Sequence, residues 1–207
     1  MNIYLLNIKK IKPDDIKPER LFEAYREKFL RLLPAAPEKA VQTAIAAQII
    51  SYIKKEYGVL SDLKITDKGK PHFENSEISF SVSHSKDVVA VCASEKNCGL
   101  DVQVFTLPNQ KTVESVLNDL ELNEFNALTD EYEKTKLFTR FFTEKESYVK
   151  FSGEGFIKKP CEIKSYPGVK FLTKYLFISS DVYCLTVCAE NIERVRYKVL
   201  TKEMLES

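Results

Sequence analysis

The stretch Thr143-Glu144-Lys145-Glu146-Ser147-Tyr148-Val149-Lys150, followed by Phe151-Ser152-Gly153-Glu154-Gly155, concentrates the chemistry of this chain. On a helix, Phe142, Glu146 and Lys150 form an i, i+4, i+8 stripe, with Phe138, Phe141 and Val149 on a neighbouring, core-facing surface. The glycines that follow end the helix. On an open surface such a Glu–Lys pair is worth only about 0.3–0.5 kcal/mol. The aromatic setting puts it instead at the edge of a core. A metal-binding Glu beside a phosphate-binding Lys accounts for two costly charges there.

Upstream stands Gly99-Leu100-Asp101-Val102-Gln103, a short apolar strand with a carboxylate at its centre. Alternation puts Asp101 and Gln103 on one face and Leu100, Val102 and Val104 on the other. That polar face is either solvated or a pair of oxygen ligands for a hard cation, Asp101 supplying charge and Gln103 a neutral amide oxygen. Ser83-His84-Ser85-Lys86-Asp87 reads as a turn after a strand at Ile78–Val82. Backbone amides, hydroxyls and an imidazole at a tight turn make an anion cradle. Gly69-Lys70-Pro71 completes the inventory.

The elements that must position these groups are legible in outline. A strand at the start is followed by a basic helical stretch from about Pro18 to Leu33, broken by Pro34 and Pro37, and by a second helix at Glu38–Tyr57 ended by Gly58. Strands cover 78–82, 88–92 and 100–104, and a helical region covers 111–151, interrupted near Asn118–Asn123 and Asp130–Lys134. The remainder is β-rich, with strands near Cys161–Tyr166, Tyr175–Ser179, Val182–Ala189 and Arg194–Leu200. Phe80…Asp87…Val91-Cys92-Ala93 is echoed by Leu176…Asp181…Val187-Cys188-Ala189, which points to two similar α+β halves.

Composition narrows the class. With 207 residues, 44% hydrophobic and 29% charged, the chain suits one ample core or two half-size ones. A net charge of +1 gives no global pull toward nucleic acid or membrane, so any anion site is local. No apolar run reaches the roughly 20 residues of a bilayer span. The first residues read as a strand, and cytoplasm is the expected compartment. The five cysteines form no Cys-x-x-Cys pair and read as small buried hydrophobes.

Taken together and in this order, these segments resemble the 4′-phosphopantetheinyl transferases of the Sfp type. That family carries Gly-Lys-Pro, Ser-His-Ser, Gly-Ile-Asp-Ile-Glu and Trp-Ser/Thr-x-Lys-Glu-Ser/Ala-Phe/Tyr-x-Lys with a nearby Gly-x-Gly; the corresponding residues here run from Gly69 to Gly155. The resemblance implies an α+β fold of two pseudosymmetric halves, residues 1–104 and 105–207. Each would be a small antiparallel sheet packed with helices, with the active site in the cleft between them. It implies a monomer that moves the phosphopantetheine arm of coenzyme A onto a serine of an apo acyl, peptidyl or aryl carrier protein, releasing 3′,5′-ADP. The cation would be Mg²⁺, with Mn²⁺ as a substitute. Carried over by position, Asp101 and Glu146 bind the metal, Glu146 also serves as base, and Lys150 holds the pyrophosphate. Ser83, His84, Lys70 and Pro71 would hold the nucleotide end, with Lys28 and Arg31 toward the 3′-phosphate.

Three departures stand out. Gln103 replaces the usual Glu, which leaves two carboxylates and gives Gln103 contact with a metal-bound water. Phe142 replaces the common Trp, and Gln42 stands where many members carry an Arg. The rival expectation is a noncatalytic relative that binds coenzyme A or a carrier protein. A generic metal-dependent hydrolase accounts for the carboxylates but not for the Ser-His-Ser and Gly-Lys-Pro segments.

Overall fold

The computed structural model describes residues 1–155 and 159–206. They form two compact units, one of residues 1–96 with 194–207 and one of residues 97–193. Among the described residues no helix is long and apolar enough to cross a membrane.

The first unit opens with β1 (Asn2–Asn7), followed by α1 (Glu23–Leu32) and α2 (Pro37–Glu56). Then come the short strands β2 (Leu63–Ile65) and β3 (Pro71–Phe73), and the longer pair β4 (Ser79–Ser85) and β5 (Val88–Ser94). Pro37 suits the first helical turn, where its missing N–H costs nothing, and Gly58 at φ +64° follows the helix end. Ala44, Ile45, Ile49 and Ile53 of α2 join Tyr4, Leu6, Phe80, Val89 and Val91 in one apolar core.

The second unit contains β6 (Gly99–Val104), α3 (Gln110–Val116), α4 (Asp119–Ala127), α5 (Glu131–Ser152), β7 (Lys170–Ile178) and β8 (Asp181–Ala189). Its sheet has the order β6-β8-β7, antiparallel throughout, with Asp101 and Thr173 both opposite Thr186. One flank of α5 carries Phe138 and Phe141 into an apolar cluster with Val113, Val116, Leu117 and Phe125 of the α3–α4 region. After this unit the chain adds β9 (Arg196–Val199) and α6 (Lys202–Glu206), and β9 pairs parallel with β1. The first sheet therefore reads β4-β5-β1-β9. The fold is the expected α+β, built from small, mainly antiparallel sheets packed with helices.

Several local expectations are corrected. Ser83-His84-Ser85 is strand, because the alternation of Ser79, Ser81, Ser83 and Ser85 with Phe80, Val82 and His84 continues to the end of β4. The turn is only Lys86-Asp87, with Lys86 at φ 47°. No strand forms at 161–166; Pro160 opens a single 3₁₀ turn, Pro160–Glu162, and proline cannot donate to a ladder. The helical breaks fall at Leu117-Asn118 and 128–130, because Asn118 and Asp130 cap the helices they precede. The Cys92–Cys188 echo is also not a structural register. Cys92 lies on the sheet face opposite the α2 core, whereas Cys188 shares the face of Thr186 and Cys184.

Candidate functional site

β6 and α5 of the second unit assemble the predicted chemistry. Along β6, Gly99 and the side chains of Asp101 and Gln103 share one face, and that face meets α5. The buried α5 residues Thr139, Thr143 and Ser147 form an i, i+4, i+8 row, and Thr143 and the Ser147 carbonyl of that row meet the sheet. Small side chains let the helix come close. A Cβ on Gly99 would stand 1.9 Å from the Ser147 carbonyl oxygen and 2.6 Å from the Phe151 nitrogen, so only glycine fits. At the end of the helix, Asn97 Nδ2 donates to Phe151 O at 2.8 Å, and Gly153 takes the left-handed cap at φ 70°.

Glu146 and Lys150 sit on the rim of this seam, as the i, i+4 spacing requires. Lys150 Nζ donates to Asp101 Oδ1 at 2.7 Å, with Asp101 buried and Lys150 half-buried. Burial first, and the Asp101 charge second, push the Glu146 carboxyl above the usual carboxylate range, while the Lys150 ammonium opposes the shift. Asp101 and Glu146 thus share one partly dehydrated place with the Lys150 ammonium. Such a place takes a further cation favourably.

The donor set fits a hard divalent cation: Asp101 and Glu146 carboxylates, and the half-buried Gln103 amide on the same strand face as Asp101. Among the described residues no group of three or more His, Cys, Asp and Glu side chains is placed to hold a metal. A thiol nucleophile has no support here, since burial pushes Cys184 up to about 11 and Cys188 up to about 12.

Two buried features beside the site were not expected. Lys145 is 1% exposed, with Nζ 2.6 Å from Glu121 Oε2, 2.8 Å from Val116 O and 2.9 Å from Pro160 O, so all three ammonium protons have acceptors. The same Glu121 oxygen accepts from Asn118 N at 2.8 Å in a capping box. This pair ties the end of α3, the start of α4 and the Pro160 turn to α5, one residue before Glu146. The second feature is a hydroxyl chain. Thr143 Oγ1 donates to Arg140 O at 3.0 Å and lies 2.8 Å from Thr186 Oγ1, which is 2.9 Å from Thr173 Oγ1. With Thr143 committed to Arg140, Thr186 donates to Thr143 and Thr173 to Thr186, so every hydroxyl proton is used. The Asn118-x-x-Glu121 spacing was a readable signal for the first feature. Nothing in the sequence marks the threonines as partners.

The remaining predicted residues lie in the first unit. Lys28 and Arg31, exposed on α1, line a cavity of about 520 Å³ with Tyr25, Glu27, Ile65 and Gly69. Gly69, at φ +84°, closes the β2–β3 turn, in which Lys70 N donates to Thr66 Oγ1 at 3.0 Å; Pro71 begins β3 opposite Ile65. Lys70 is thereby next in sequence to a cavity residue. Ser83 and His84 do not share a turn: Ser83 is buried on one face of β4 and His84 exposed on the other. Gln42 is buried, and its Nε2 donates to Lys86 O at 2.9 Å, fastening α2 to the β4–β5 turn.

Comparison with known proteins bears on the same segment. Residues 97–179, which contain β6, α5 and β7, match the family model described as the 4'-phosphopantetheinyl transferase superfamily. The chain is also 25% identical over 152 residues to a Haemophilus influenzae protein named "Putative 4'-phosphopantetheinyl transferase". That match spans 70% of this chain and 63% of the relative, less than two thirds of the relative's length.

Proposed function

We infer that the protein is a 4′-phosphopantetheinyl transferase of the Sfp type, a Mg²⁺-dependent holo-acyl-carrier-protein synthase acting as a cytoplasmic monomer. It transfers the phosphopantetheine arm of coenzyme A to a serine of an apo carrier protein and releases 3′,5′-ADP. The observation that carries this reading is the Asp101–Lys150 ion pair beside a Glu146 carboxyl raised by burial, all inside the segment that matches the superfamily model.

Displacement at a pyrophosphate phosphorus needs positioning and charge neutralisation more than covalent help from the protein. Asp101 and Glu146 would hold the cation, with Gln103 contacting a metal-bound water, and the bound cation would neutralise charge on the two phosphates. Lys150 exchanges its Asp101 partner for a pyrophosphate oxygen. Glu146 in its ionised form would accept the serine proton, directly or through water. In the first unit, Lys28, Arg31, Lys70, Pro71, Ser83 and His84 keep the assignment to the nucleotide end of coenzyme A as part of this proposal.

One assay tests the reading: incubate the protein with coenzyme A, Mg²⁺ and an apo carrier protein, then weigh the carrier. A gain of one phosphopantetheine arm is expected. Coenzyme A binding without a gain supports the second reading, a noncatalytic relative. That alternative draws on the missing third carboxylate at Gln103 and on Gln42, whose amide is committed to Lys86 O.

A further inference from the structure

Glu146 and Lys150 ride on α5, whereas Asp101 belongs to β6. Their encounter therefore depends on where the helix lies along the sheet. Over β6 and β8 the buried row of α5 is Thr139, Thr143 and Ser147, while its aromatic contact, Tyr148 on Tyr166, lies toward β7. Two contacts bracket Glu146. On one side, Thr143 reaches Thr186, the residue directly opposite Asp101 in the ladder. On the other, the Ser147 carbonyl closes over Gly99, two residues before Asp101. The first contact is directional: it continues to Thr173 at 2.9 Å and ends on Arg140 O, with Cys184 Sγ 3.4 Å from Thr143 Oγ1.

We propose that the Thr173–Thr186–Thr143 hydroxyl chain is a positioning device that fixes the register of α5 over β6 and β8. It thereby sets Glu146 and Lys150 against Asp101. The threonines touch no reacting atom in this account; they act through the helix. Sliding α5 by one residue rise, about 1.5 Å, stretches and misaligns the Thr143–Thr186 hydrogen bond and displaces Lys150 from its seat on Asp101. A misplacement of that size is enough to cost about 10²-fold in rate. Thr186→Val keeps the shape of the side chain and interrupts the chain at its middle. Its neighbours lose little else, since Thr143 still donates to Arg140 O and Thr173 is only half-buried.

The proposal rests on the transferase reading only for its consequence, so two measurements are made on Thr186→Val and the rescue variant Thr186→Ser. The first is the ¹H–¹⁵N resonance of the Lys150 ammonium, which is visible only while a seated partner slows its exchange with water. The second is transfer kinetics with coenzyme A, Mg²⁺ and an apo carrier. The expected result is a Lys150 resonance present in the wild type and Thr186→Ser but lost in Thr186→Val, with kcat falling about tenfold or more. The KM for coenzyme A moves much less. A Lys150 resonance unchanged in Thr186→Val overturns the proposal, whatever happens to the rate. If Thr186→Val does not fold, Thr173→Val breaks the chain from its outer end and is judged by the same resonance. A wild type that transfers nothing defeats the transferase reading alone, because the resonance still decides the positioning claim.

Discussion

Each unit lays one long helix over a small sheet, and the two seams are made of opposite materials. In the first unit, α2 brings Ala44, Ile45, Ile49 and Ile53 to a face of Tyr4, Leu6, Phe80, Val89 and Val91. In the second, α5 brings Thr139, Thr143 and Ser147 to a face of Asp101, Cys184 and Thr186. The apolar flank of α5 is turned away from the sheet and packs on the α3–α4 cluster. The contrast teaches what each seam is for. An apolar seam stabilises through area, about 1.5–3 kcal/mol for each fully buried Ile or Leu, and is non-directional. A seam of hydroxyls, one glycine and an ion pair gains less from area but fixes orientation. That is what the proposed transfer centre requires.

The comparison can be broken most forcefully at Gly99. Replacement by Val, or even Ala, drives a Cβ into the Ser147 carbonyl, and a loss of more than about 4 kcal/mol in urea unfolding is expected. A Gly99→Ala protein as stable as the wild type contradicts the close approach. The next largest effect belongs to the other seam. Ile49→Ala should cost about 2–5 kcal/mol by the same measurement. It should leave the Mg²⁺ half-saturation of the folded fraction unchanged; a shifted half-saturation would mean the seams are not functionally distinct.

Smaller effects sharpen the chemistry of the polar seam. Gln103→Glu restores a third carboxylate, and the Mg²⁺ concentration for half-maximal transfer should fall about tenfold, equivalent to about 1.4 kcal/mol. An unmoved titration removes Gln103 from the ligand set. Glu146 gives the mildest test. Its folded-state pKa is raised, so the folded protein holds that proton more tightly than the unfolded chain. The associated stability is complete below the unfolded pKa and is lost as pH rises through the folded one. Without metal, wild-type stability should therefore decline from the ordinary carboxylate range upward more steeply than that of Glu146→Gln. Identical pH slopes for the two proteins would contradict the shift.

Legibility followed the range of the interactions involved. The Glu146–Lys150 pair and Asp101 were readable because helix and strand periods fix which side chains share a face, and α5 and β6 kept those periods. Lys145 was not, since a lysine within a charged run usually marks a solvated face and its partners come from Val116, Glu121 and Pro160. The Ser83–Asp87 segment has the composition of a turn, yet period-two alternation won through Ser85. β9 was found as a strand, but its pairing with β1 joins residues about 190 positions apart, beyond any local pattern. The threonine chain shows the limit most clearly. Thr143, Thr173 and Thr186 gain meaning only from the register that brings them together.

The central claim is that the α5–β6 seam performs the transfer. Its most direct test weighs an apo carrier after incubation with coenzyme A, Mg²⁺ and either wild type, Asp101→Ala or Glu146→Ala, with folding of each protein checked alongside. The account predicts one phosphopantetheine arm on the carrier with the wild type and none with either folded variant. Transfer at the wild-type rate by Asp101→Ala or Glu146→Ala would contradict it.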